Sequence, residues 1–125
     1  MAADLFSGEL VLLHNPRCSK SRSAKAFLVQ RGAAFREHHY LEQPLSRAQL
    51  SELARRLGRP AQEWVRDGED AYAEAGLDQS SSQDQILDAM ARFPILLERP
   101  ILIRGAQAIV GRPPEKVLEL LEARG

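Results

Sequence analysis

Three short apolar runs, and the order in which the chain meets them, restrict the fold more than any other feature. Leu10-Val11-Leu12-Leu13 lies between Glu9 and His14. It is continuous rather than alternating, as expected of a buried strand, and Asn15-Pro16 ends it. Far along the chain, Ile101-Leu102-Ile103 and Ala108-Ile109-Val110 are rich in β-branched residues, with Gly105 between them. That pair reads as an antiparallel hairpin.

Between these runs the period is mostly helical. From Ser21 onward, Ala24, Phe27 and Leu28 share one helical face, and Gly32 follows Arg31 as a C-terminal cap. Ala34 to Tyr40 is expected to form a second strand. Ser46 with Gln49 forms a capping box, and Leu45 with Leu50 a hydrophobic staple. Leu50, Leu53, Ala54 and Leu57 then line one face until Gly58-Arg59-Pro60. Ala61 to Gly76 reads as short helical pieces broken near Gly68. Ser82 with Gln85 is another capping box, ahead of Ile86, Leu87 and Met90. Pro113 and Pro114 suit the first turn of a last helix, whose stripe is Val117, Leu118 and Leu121.

The order is strand, helix, strand, several helices, hairpin, helix. This predicts an α/β protein of thioredoxin-like fold, with a mixed four-stranded sheet and a helical insertion. The 125 residues suit one domain, 1–125. Its core would span about 9–45 and 94–122, with the insertion at about 46–93.

Cys18 is the only cysteine, so an internal disulfide is excluded and a reducing cytoplasm is the expected compartment. It falls just after the first strand and at the start of the first helix. Unpaired N–H groups and the positive end of the dipole there favour a thiolate. Lys20 and Arg22 add charge, and His14 lies four residues back. A lone cysteine is ordinarily core filler, but core filler rarely comes wrapped in Asn15, Pro16, Arg17, Ser19 and Lys20. Position 21 is serine, so the motif is Cys-x-x-Ser. Ser21 is expected to cap the helix or to donate a hydrogen bond to the Cys18 sulfur. With no second cysteine, an outside thiol must complete any redox cycle.

Several landmarks fall in one order: His14-Asn15-Pro16 with Cys18 and Ser21-Arg22, Tyr40-Leu41-Glu42 before a proline, Arg66 after Trp64-Val65, Glu98-Arg99-Pro100-Ile101, and Gly111-Arg112-Pro113. From about Val11 to Leu121 the chain resembles the glutaredoxin-coupled arsenate reductase family, above all its short bacterial members. The resemblance implies that Cys18 attacks arsenic(V) and that Arg66, Arg99 and Arg112 hold the oxyanion and its thiol adducts. It implies that His14, with Ser21, helps keep the cysteine ionised. Glutathione would be a co-substrate rather than a bound cofactor, glutaredoxin the protein partner, and the chain a monomer. Arg-Pro before the hairpin strand fits the proline that is often cis in thioredoxin-like folds and faces the cysteine loop. Forked guanidinium donors suit a charged oxyanion.

Two other readings share the fold. A Spx-like regulator would bind RNA polymerase, although redox-sensing members typically use Cys-x-x-Cys. A thiol oxidoreductase would act on another small thiol adduct, in the manner of a monothiol glutaredoxin.

Other classes are disfavoured. Lys plus Arg and Asp plus Glu each number 17, so there is no basic excess for nucleic acid. No apolar run approaches the ~20 residues of a membrane span. Met1-Ala2-Ala3-Asp4 does not open a secretory signal. His38 and His39 with one distant cysteine make a poor zinc set, so no metal site is expected. Trp64 is expected to pack in the core, and Asp67, Glu69 and Asp70 to start a solvated helix.

Overall fold

The computed structural model describes residues 5–122. Met1 to Asp4, where the expectation of no secretory signal falls, lies outside the described residues. The chain divides into two compact units, one running to Gln43 and resuming at Arg99, the other Pro44–Glu98.

The first unit carries the sheet. Its elements are β1 (Leu10–Leu13), α1 (Ser19–Gln30), β2 (Arg36–His38), and, after the second unit, β3 (Ile101–Arg104), β4 (Gln107–Val110) and α5 (Val117–Glu122). The four strands lie in the order β2-β1-β3-β4. β1 pairs parallel with β2 and antiparallel with β3, and β3 pairs antiparallel with β4, so the sheet is mixed. The register sets Leu12 opposite Leu102 and Leu13 opposite Ile101.

Leu12 and Leu102 pack with Ala24 and Leu28 of α1 and with Val117 and Leu120 of α5. Val11, Leu13, Ile101 and Ile103 are also buried, on the opposite side of the pleat. Burial of both faces is why these strands read as continuous apolar runs. β2 is shorter than the expected Ala34 to Tyr40. Its residues Arg36-Glu37-His38 are polar, it lies at the sheet edge, and Tyr40 already belongs to a turn.

Gly111 follows β4 and meets Pro100 before β3. Its N–H donates to Pro100 O at 2.8 Å, and a Cβ there would stand 2.9 Å from Pro100 Cγ and 3.0 Å from Val117 Cγ1. Glycine is therefore required by close approach. The peptide bonds Arg99-Pro100 and Arg112-Pro113 are both cis.

The second unit is helical: α2 (Arg47–Leu57), α3 (Asp70–Glu74) and α4 (Gln83–Arg92), with single 3₁₀ turns at Ala61–Glu63 and Pro94–Leu96. Both capping boxes are present, Ser46 with Gln49 and Ser82 with Gln85, each satisfying two N–H groups reciprocally. Gly58 ends α2 in the left-handed conformation at φ 65°. α2 packs on α4, and Arg47 reaches Asp84 at 2.7 Å and Asp88 at 2.6 Å. Trp64 is fully buried, with its indole N–H on Arg59 O.

Candidate active site

The site begins where β1 stops. His14 N–H still bonds His38 O of the neighbouring strand at 2.9 Å, and then Asn15-Pro16 turns the chain. The Asn15 side-chain oxygen accepts from Arg17 N–H at 3.0 Å, and Asn15 O accepts from Cys18 N–H at 3.0 Å. These bonds make a tight Asx-type turn. Arg22 donates to Pro16 O at 2.9 Å and closes the loop from the helix side.

The turn delivers Cys18 to the N-cap of α1, in extended conformation and half-buried. Its side chain makes no capping hydrogen bond, but the N–H groups of the second and third helical residues, Lys20 and Ser21, lie near the sulfur and favour its charged form, and no acidic residue stands in the first turn. Burial by itself would push the thiol pKa up. The Ser21 N–H, the Arg99 guanidinium and the Lys20 N–H more than offset this, and the net position is below an ordinary thiol. The effect is reciprocal: burial disfavours the Arg99 charge, but the Cys18 sulfur and Tyr40 hold it firmly protonated.

The Ser21 side chain is fully buried, with Oγ 2.6 Å from His14 Nδ1 while it accepts from Asn15 N–H at 3.0 Å. The hydroxyl thus helps close the turn, and the Ser21 N–H favours the charged form of the Cys18 sulfur. Burial lowers the His14 pKa, partly countered by Glu37. Lys20 contributes its N–H, and the Arg22 guanidinium is spent on Pro16 O.

Of the three arginines, Arg99 lies against Cys18, and Arg112 donates from Nε to Arg99 O at 2.8 Å. Arg66 belongs to the helical unit. Its N–H bonds Leu96 O, beside an antiparallel bridge of Val65 with Leu97, and its guanidinium pairs with Glu98 at 2.8 Å and Glu69 at 3.1 Å. Tyr40 was legible only as a landmark, yet it is buried and set beside Arg99. Its place at the end of a polar edge strand carried no period that could signal this.

A cavity of about 240 Å³ opens beside the loop, between His14, Arg17, His39 and Glu42. The His14 and His39 rings meet edge to face with centroids 5.7 Å apart. His39 bonds Glu37 at 3.0 Å, and Glu37 pairs with Lys25 at 2.7 Å. Lys25 and then His39 hold the Glu37 carboxyl below its usual range. His38 is buried instead, with Nε2 donating to Gln43 O at 2.7 Å. Among the described residues no group of three or more His, Cys, Asp or Glu side chains is arranged to hold a metal ion, and no helix is long and apolar enough to cross a membrane.

A mixed four-stranded sheet flanked by helices, with a cysteine at the N-terminus of its first helix beside Arg99, defines a protein of thioredoxin-like fold. The family model described as the ArsC family matches residues 13–120, and the chain belongs to that family. It is 42% identical over 115 residues to uncharacterized protein YfgD of Escherichia coli strain K12, covering 90% of this chain and 97% of that one. It is 41% identical over 115 residues to a protein named arsenate reductase from Neisseria meningitidis serogroup A, covering 90% and 98%. The solved structure of arsenate reductase from Vibrio cholerae superposes with a TM-score of 0.83 at 43% identity, covering 88% of this chain and 95% of that one.

Proposed function

We propose that the protein is a thiol-dependent arsenate reductase that works through a covalent Cys18–arsenic intermediate, with glutathione and a glutaredoxin as reductants. The observation that carries this reading is the Cys18 sulfur, favoured as thiolate by the Ser21 and Lys20 N–H groups and by Arg99. Relatives named arsenate reductase supply the substrate.

In the first step the Cys18 thiolate forms an S–As bond while an As–O bond breaks, and the departing oxygen leaves as water with protons from solvent. Glutathione displaces a second oxygen as water. A glutaredoxin thiolate then attacks the glutathione sulfur. The electrons of that S–As bond stay on arsenic, which becomes arsenic(III), and a mixed glutathione–glutaredoxin disulfide departs. Water finally displaces Cys18, releasing arsenite and the free thiolate. Arg99 and Arg112 would stabilise charge on the oxygens as they are displaced. Arg66 is the third proposed oxyanion ligand, and it would have to share its guanidinium with Glu69 and Glu98. The enzyme would act as a monomer in the reducing cytoplasm.

Turnover of arsenate with glutathione and glutaredoxin tests the reading. Wild type is expected to produce arsenite, and Cys18→Ser none. Arg99→Ala and Arg112→Ala are each expected to lose on the order of 10²-fold in kcat/KM. Arsenite production by Cys18→Ser, or none by wild type, would overturn it.

A further inference from the structure

The proposed chemistry needs a thiol co-substrate that reaches Cys18, and a second cavity begins at the residue that follows it, Ser19. It has a volume of about 410 Å³ and lies between α1 and the 3₁₀ turn Pro114–Lys116. That volume is within the ~300–1,000 Å³ range of small-molecule sites. Ser19, the residue after the nucleophile, starts its wall, and Ser23 and Phe27 continue it at successive turns on one helical face. Phe27 and buried Pro114 add apolar surface to the lining.

Its two charges come from different elements: Lys20 from α1 and Glu115 from the 3₁₀ turn. Among the described residues neither has an ion-pair partner, and they do not pair with each other. By contrast Lys25, one turn further along α1, is taken by Glu37. A lining that joins one cation and one anion, neither of them in an ion pair, to two serines, Phe27 and Pro114 complements a small zwitterion.

The geometry points to this groove as the docking site of the thiol co-substrate, a small peptide thiol such as glutathione. Lys20 would take a carboxylate, Glu115 the α-ammonium, and the thiol would be presented toward Cys18. This rests on the thiol-dependent reading above, and it names where the reductant of that reading binds. The step served is displacement of an arsenic-bound oxygen: a new S–As bond forms, an As–O bond breaks, and the thiol proton leaves with the oxygen as water.

A thiol exchange that needs no arsenate separates the two claims. Cys18 is converted with Ellman's reagent to its thionitrobenzoate mixed disulfide. Attack by an added thiol on the Cys18 sulfur then releases coloured thionitrobenzoate. The rate is compared for glutathione and for uncharged 2-mercaptoethanol, in wild type and in Glu115→Lys. The account expects Glu115→Lys to slow glutathione about fivefold, the upper range for one exposed ion pair, and to leave 2-mercaptoethanol unchanged. Glu115→Gln should give a smaller loss in the same direction. Equal slowing of both thiols, or no slowing of glutathione, would overturn the docking site. A fivefold selective loss in a protein that fails to reduce arsenate would keep the groove and remove the arsenate reading.

Discussion

The Ser21 hydroxyl lies 2.6 Å from His14 Nδ1 and also accepts the Asn15 N–H, so one buried side chain ties the end of β1 to the first turn of α1. The position of Cys18 depends on this knot, because Cys18 sits between its two ends. Ser21→Ala strands a buried ring nitrogen and a buried amide. It is expected to cost about 1–3 kcal/mol, read as a lower urea midpoint, and to lower Cys18 reactivity through displacement of the turn. Unchanged stability in that variant would show that water replaces the hydroxyl without loss.

The pH dependence of stability follows from two buried histidines. Burial depresses both His14 and His38, with Glu37 opposing the shift at His14 and the Gln43 carbonyl opposing it at His38. An unfolded histidine titrates near ~6.5, so between the folded and unfolded values the unfolded chain binds more protons. Stability from this source is fully present above ~6.5 and is lost as pH falls through the depressed folded values. Urea midpoints should therefore drop as pH is lowered from about 7 to 5. His38→Gln should flatten that slope, and an unchanged slope would assign the loss to other groups.

Close approach at Gly111 makes a separate prediction. Gly111→Ala forces a methyl against Pro100 and Val117, so it should destabilise by about 1–3 kcal/mol. Gly68→Ala, which meets nothing within 4 Å, serves as the control and should be nearly neutral. Thermal melts of the two variants give the comparison directly.

The sequence made local signals legible and left long-range ones hidden. Ser46-Gln49 and Ser82-Gln85 act within one helical turn, so their spacing alone announces two helix starts. Cys18 was legible for the same reason, since a turn before it and a helical period after it place it at an N-cap. β2 was overextended because a polar edge strand has little hydrophobic alternation to mark its ends. The partner of the Ser21 hydroxyl was missed because it lies seven residues back, just past the end of β1. The Arg66 pairing with Glu98 spans 32 residues and rests on the bridge between Val65 and Leu97, which no local pattern reveals.

The central claim is that Cys18 is held as a thiolate by the start of α1 and by Arg99. Because the chain has one cysteine, the rate of alkylation by iodoacetamide across pH reports this group alone. The account predicts a midpoint below the ~8.5 of a free thiol in wild type, moving back toward that value in Arg99→Ala. A wild-type midpoint at or above ~8.5, unmoved by Arg99→Ala, would contradict it.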